Sequence, residues 1–153
     1  MKRITRPIST SFRKASIQDL DKILVIENRT YSFPWSKEKF IDSFNNPSIE
    51  IQLILLDNKI VGYLLTLLSI EFIDILNICI DTQFQKQGLG KKLLDNLLAR
   101  QKHSEIKSIL LEVRESNRAA INFYQNYGFK LLDTRKKYYS NLEDAKILRF
   151  QIM

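Results

Sequence analysis

Apolar positions along this chain change period repeatedly, and each change marks an element. Residues 12–15 read as a short first strand. Ser16 follows as an N-cap, with Asp19 three residues on. Ile17, Leu20, Ile23, Leu24 and Ile26 then recur at helical spacing, and that helix stops before Ser32-Phe33-Pro34-Trp35. Ser36 caps a second, short helix over 37–45, with Phe40, Ile41 and Phe44 on one face. Asn45-Asn46-Pro47-Ser48 makes a turn. Residues 49–56 form a strand, and Asp57-Asn58-Lys59 turns it into a hairpin with 60–69. A third strand covers 72–80. From Gly90, the residues Leu93, Leu94, Leu97 and Leu98 form an apolar helical stripe. A strand over 106–113 and a short helix over 117–126 follow, the helix closed by Gly128. Residues 129–139 and 145–152 supply the last two strands.

The resulting order is β, α, α, β, β, β, α, β, α, β, β. It predicts an α/β (α+β) fold: a mixed central β-sheet of about seven strands flanked by about four helices. A chain of 153 residues suits a single domain over 12–153, preceded by a loose basic arm over 1–11. That arm has no apolar core and is no signal peptide. The longest apolar run, 60–80, is broken by Gly62, Ser69, Glu71, Asp74 and Asn77, so no membrane span is expected.

Composition narrows the chemistry. With 44% hydrophobic and 27% charged residues the chain is an ordinary globular one, and its net charge of +7 favours polyanionic ligands. A single cysteine, Cys79, allows neither an internal disulfide nor a zinc cluster, which points to a reducing compartment, the cytoplasm. The lone His103 leaves no basis for a His-rich metal site or a His-based triad, and no metal is expected.

Between the third strand and the long helix lies Gln85-Lys86-Gln87-Gly88-Leu89-Gly90. A strand, a glycine loop and a helix start in that order build a cradle for a phosphate: the backbone comes close, and free N–H groups of the first turn face the anion. Lys86, Lys91 and Lys92 add positive charge there. The loop is neither the dinucleotide G-x-G-x-x-G nor the Walker G-x-x-x-x-G-K-[ST]. On pattern alone, a plain tight turn before a helix explains it equally well. In the strand Ile109-Leu110-Leu111-Glu112-Val113-Arg114, alternation puts Ile109, Leu111 and Val113 on one face and Leu110, Glu112 and Arg114 on the other. Helices over both faces would leave Glu112 partly desolvated and make it a better base. The competing reading puts Glu112 in water at a strand end or pairs it with Arg114.

Five stretches carry a resemblance. Gln85-x-x-Gly88-x-Gly90, after a strand ending Asn77-Ile78-Cys79-Ile80-Asp81, is similar to the acetyl-coenzyme A motif of the GNAT acetyltransferase superfamily. Leu111-Glu112-Val113-Arg114-x-Ser116-Asn117-x-Ala119-Ala120-Ile121-x-x-Tyr124-x-x-x-Gly128-Phe129 resembles the second half of its core. Phe33-Pro34-Trp35-Ser36, Tyr138-Tyr139 and Glu143-Asp144-Ala145 resemble, in order, the bacterial ribosomal-protein-alanine N-acetyltransferases within it.

The resemblance implies a GNAT fold and an acetyl-CoA-dependent N-α-acetyltransferase. It places the pyrophosphate on the amides of Lys86, Gln87, Gly88, Leu89, Gly90 and Lys91, and the pantetheine arm along Ile78, Cys79 and Ile80. Asn117 is a further cofactor contact, a plain helix N-cap, or both. Cys79 stands where a small apolar residue is expected and reads as a buried, inert thiol. Glu112 becomes the catalytic base and Tyr124 the general acid. Pro34, Trp35 and Tyr139 flank the acceptor, though Trp35 and Tyr139 also read as packing or surface aromatics. The implied partner is the N-terminus of a ribosomal protein, protein eighteen of the small subunit, with weak ribosome association. No membrane or specific DNA partner is implied. A lysine or small-molecule amine as acceptor is the alternative, and a non-catalytic RNA-binding module the less favoured one.

Overall fold

The computed structural model describes residues 8–152. The elements run β1 (Thr10–Lys14), α1 (Leu20–Thr30), α2 (Lys37–Phe44), β2 (Ile49–Leu56), β3 (Lys59–Leu68), β4 (Phe72–Ile80), α3 (Leu89–Ala99), β5 (Ser108–Arg114), α4 (Arg118–Tyr127), β6 (Lys130–Arg135) and β7 (Ala145–Gln151). Short 3-10 turns cover Ile17–Asp19 and Thr82–Phe84. The strands hydrogen-bond in the order β1-β2-β3-β4-β5-β7-β6. The sheet is mixed: β4 and β5 are parallel from Phe72↔Ser108 to Ile75↔Leu111, while β1–β2, β5–β7 and β6–β7 are antiparallel. The seven strands and four helices expected from the apolar pattern are all present among the described residues. No helix there is long and apolar enough to cross a membrane.

Backbone contacts divide the chain into two compact units, Met1–Leu64 with Ile78–Leu93, and Leu65–Asn77 with Leu94–Met153. In the first unit β1 pairs with β2 from Thr10↔Leu56 to Lys14↔Gln52. The ladder therefore starts two residues before Phe12. Thr10 and Ser11 belong to the sheet rather than to the expected arm, and residues 1–7 of that arm lie outside the described residues. The cause is non-local: the Ser9 N–H donates to Asp57 Oδ1 at 3.0 Å, and the Asp57 N–H donates back to the Ser9 carbonyl at 2.9 Å. Asp57 and Asn58 take φ of 46° and 67°, the left-handed pair of a two-residue hairpin.

The start of α1 is held by side chains. The Ser16 N–H donates to Asp19 Oδ2 at 2.8 Å, and Arg13 reaches both Asp19 oxygens at 2.9 Å. The buried stripe of the helix is Leu20, Ile23, Ile26 and, against expectation, Glu27. Ile17, expected on that stripe, is 52% exposed. It sits in a 3-10 turn, where three residues make a turn, so its side chain comes round to a different side from the α-helical stripe. Leu53, Ile54, Val61, Leu64 and Phe40 complete the core of this unit. β3 approaches β4 so closely at Gly62 that a Cβ would lie 2.5 Å from the Cys79 carbonyl oxygen.

In the second unit β7 lies between β5 and β6, with a register shift in β6 between Leu131 and Asp133. Tyr124, Tyr127, Phe129 and Phe150 pack with ring centroids 5.5 to 6.2 Å apart. β6 stops at Arg135, four residues short of the expected end. Lys137 takes φ of 50°, and its N–H goes to Asp144 Oδ1 at 2.9 Å instead of to a neighbouring strand. Tyr138 and Tyr139 therefore lie in the connection before β7.

Candidate active site

In the first unit β4 delivers the chain into a turn and then the glycine loop. Asp81 begins it, fully buried, with its N–H on the Val61 carbonyl at 2.8 Å. Gln85 Nε2 donates to the Ile80 carbonyl at 2.9 Å and ties the loop to the strand end. Lys86 and Gly88 take φ of 64° and 79°. Left-handed residues two apart turn successive N–H groups into a shared concavity, the arrangement that receives anions. A Cβ on Gly88 would meet nothing within 4 Å, so the space beside it is open. α3 starts at Leu89, one residue before the expected Gly90, and the Lys92 N–H closes its first turn on the Gly88 carbonyl at 3.1 Å. Lys86, Gln87, Gly88, Leu89, Gly90 and Lys91 are thus one continuous stretch of loop and helix start.

The last turn of α1 ties three segments of this unit together. Glu27 is buried, and its Oε2 accepts the Trp35 N–H at 2.9 Å while Oε1 accepts the Tyr63 hydroxyl at 2.5 Å. Arg29 Nε donates to Asp81 Oδ1 at 2.9 Å, and its Nη2 donates to Oδ2. The Tyr31 hydroxyl donates to the Ile78 carbonyl. That carbonyl retains a second lone pair, so the contact leaves room for a further donor. Cys79 is buried and its thiol is pushed up to about 11, chiefly by burial, so it is a neutral thiol at physiological pH. In the connection between α1 and α2, the Trp35 ring leans on Phe40 at 5.3 Å, Lys39 Nζ sits 4.2 Å from its centroid, and Pro34 and Phe33 are exposed.

The second unit carries the expected acid and base. Alternation along β5 is as anticipated: Ile109, Leu111 and Val113 are buried, and Glu112 lies on the other face. The expected desolvation of Glu112 is corrected, because its side chain is 37% exposed and pairs with Arg135 Nη1 at 3.3 Å, not with Arg114. Arg114 instead stacks on Tyr139, its guanidinium carbon 3.9 Å from the ring centroid. Asp74 on β4 is the carboxyl whose pKa is raised, first by burial and then by the charge of Glu112. Tyr124 is buried between Phe123 and Phe129, with centroids 5.2 and 5.5 Å away. Burial alone raises its pKa, which keeps the phenol protonated. Among the described residues its hydroxyl makes no hydrogen bond. Asn117 caps α4, its side chain accepting the Ala120 N–H at 3.2 Å, so the structural reading of that residue holds whatever else it binds.

Glu27, Arg29, Tyr31, Tyr63 and Arg135 were not singled out from the sequence. Glu27 did leave a signal, since it falls one turn after Ile23 on the apolar stripe of α1, where a charge is out of place.

A seven-stranded mixed sheet flanked by four helices, with a basic glycine loop leading into α3, is the frame of a class of group-transfer enzyme. The chain belongs to the Acetyltransferase (GNAT) family, whose sequence pattern matches residues 20–129. It is similar to the ribosomal protein bS18-alanine N-acetyltransferase of Salmonella typhimurium, 32% identical over 140 residues that cover 90% of this chain and 94% of the relative. The Escherichia coli enzyme of the same name is 33% identical over 137 residues, 88% of this chain and 92% of the relative. The crystal structure of the Escherichia coli ribosomal-protein-S18-alanine N-acetyltransferase superposes with a TM-score of 0.86 at 29% identity, covering 94% of each chain.

Proposed function

We propose that this protein is a cytoplasmic N-α-acetyltransferase that moves an acetyl group from acetyl-coenzyme A to the N-terminal alanine of ribosomal protein bS18. The observation that carries this reading is the likeness to enzymes of that name along nearly the whole of both chains. The cradle suits the donor: left-handed Lys86 and Gly88, open space beside Gly88, and three lysines at one helix start fit a diphosphate. Bound there, acetyl-coenzyme A supplies an activated acyl group.

The residues then have two proton problems to solve. An α-amine with a pKa near 8 costs about 1.4 kcal/mol to deprotonate at pH 7, against about 4.6 kcal/mol for a lysine amine. One solvent-reachable carboxylate, acting directly or through a water, is base enough for the first. Glu112 takes that role, and its exposure gives a substrate amine access to it. The Tyr124 hydroxyl holds a proton at Oη for the departing sulfur, which its buried, protonated state suits. The loop amides of residues 86–91 and the backbone of Ile78, Cys79 and Ile80 hold the donor, and Pro34, Trp35 and Tyr139 border the acceptor.

Mass spectrometry of peptides that differ only in their first residue, incubated with acetyl-coenzyme A, tests this reading. Alanine-initiated peptides are expected to react at the α-amine, while internal lysines, polyamines and aminoglycosides do not. Glu112→Gln is expected to lose rate most below pH 8, where the amine is protonated. Tyr124→Phe is expected to lose roughly a hundredfold in kcat with donor affinity retained. Full activity in both variants removes these two assignments, and reaction of free amines in place of N-termini removes the acceptor.

A further inference from the structure

We propose that Glu27 is a positioning residue: its buried carboxylate is the strut that holds the connection between α1 and α2 in its acceptor-binding shape. This rests on the reading of Pro34 and Trp35 as acceptor contacts. The connection has little backbone order of its own. The Tyr31 N–H still bonds back to the Glu27 carbonyl at 3.1 Å, and Ser36 already caps α2 by accepting the Lys39 N–H at 3.2 Å. Between those points no regular ladder supplies partners, and a backbone N–H removed from water needs one. Glu27 supplies it for Trp35.

The carboxylate is itself fixed from the other side. Tyr63 stands on β3, fully buried, and burial keeps its hydroxyl protonated and able to donate. A closed circuit results: Glu27 to the Trp35 backbone, the Trp35 ring to Phe40 at 5.3 Å, Phe40 edge-on to Tyr63 at 6.1 Å, and the Tyr63 hydroxyl back to Glu27. Trp35 is thereby held at its backbone and at its ring at once. A leucine would fill the same volume in this core without a desolvated carboxyl group. In some proteins a buried polar group of this kind serves to enforce one particular conformation. The conformation enforced here is that of Phe33-Pro34-Trp35, two of whose side chains face solvent.

Trp35 is the only tryptophan in the chain, so its emission reports on this segment alone. The test uses the full chain, an alanine-initiated peptide, acetyl-coenzyme A, and three readouts: the two KM values, acrylamide quenching of Trp35, and Tm. Losing the Trp35 bond and freeing the segment is expected to raise peptide KM roughly fivefold to tenfold in Glu27→Ala, with the KM of acetyl-coenzyme A unchanged and Trp35 more readily quenched. Glu27→Gln keeps an acceptor oxygen for the Trp35 N–H and is expected to restore peptide KM and quenching close to the native values. A folded Glu27→Ala with native peptide KM and native quenching overturns the proposal, as does an equal rise in both KM values. If Glu27→Ala does not fold, Tyr63→Phe decides in its place: it releases one side of the carboxylate, and an unchanged peptide KM overturns the proposal. Should the native protein leave all such peptides unmodified, the acceptor assignment fails instead, and the quenching comparison still decides the role of Glu27.

Discussion

Replacing Gly88 by alanine separates the folding role of the glycine loop from the binding role proposed for it. The residue sits at φ of 79°, and a Cβ there would touch nothing within 4 Å. No clash is created, so the stability cost is that of placing an L-residue in the left-handed region, about 1–2 kcal/mol. For a chain of this size each kcal/mol moves Tm by about 2–4 °C, which gives a fall of about 2–8 °C. Binding should suffer more. The methyl group would stand in the open space beside the loop and keep an anion from the amides. Loss of one charge-assisted hydrogen bond costs about 1.5–3 kcal/mol, or roughly tenfold to a hundredfold in Kd. Gly88→Asn is the control, because asparagine tolerates left-handed backbone but still carries a Cβ. It should regain most of the Tm and little of the affinity. Calorimetric titration with acetyl-coenzyme A, run beside thermal melts, reads both quantities. If folded Gly88→Ala binds the donor within about threefold of the native Kd, the loop is a turn and not a phosphate cradle.

Three further outcomes concern stability. Burial and the Glu112 charge hold the Asp74 pKa up in the folded state, so folding penalises the ionised form at and above neutral pH. Asp74→Asn should therefore raise the urea midpoint at pH 7, by under about 1 kcal/mol for a half-exposed group, and the gain should vanish as pH falls toward the ordinary aspartate range near 4. Asp19 runs the other way: the Arg13 guanidinium lowers its pKa, so its contribution is complete at neutral pH and fades as pH drops below about 4. Asp19→Asn should cost about 1 kcal/mol at pH 7, and the deficit should close on acidification. Gly62→Ala would set a methyl 2.5 Å from the Cys79 carbonyl oxygen and 2.7 Å from Ile80 Cδ1, and differential scanning calorimetry should show a loss of about 1–3 kcal/mol.

The parts of this fold that could be read from the chain are those decided locally. β2 and β4 start and stop where their apolar runs do, and the glycine loop and α3 follow from spacing within a few residues. Which face of β5 carries Glu112 follows from strict alternation. What escaped depends on distant partners. β1 begins early because Ser9 meets Asp57 forty-eight positions away. β6 ends early because Asp144 captures the Lys137 N–H. The exposure of Glu112 is a matter of what covers one sheet face, which alternation along a single strand does not contain. Glu27 was legible as a charge on an apolar stripe, but its partner Tyr63 lies thirty-six positions on, inside a strand whose mostly apolar run does not single it out.

The end of α1, with Tyr31 just beyond it, sets where the connection to α2 can be cut and exchanged. Within five residues, Glu27, Arg29 and Tyr31 reach the Trp35 backbone, the Asp81 carboxylate and the Ile78 carbonyl. A chimera that imports only 32–35 from a relative would splice foreign backbone onto native moorings. The self-consistent module is 27–36 together with the positions equivalent to Tyr63 and Asp81, and a graft cut to those borders carries its own side-chain partners with it.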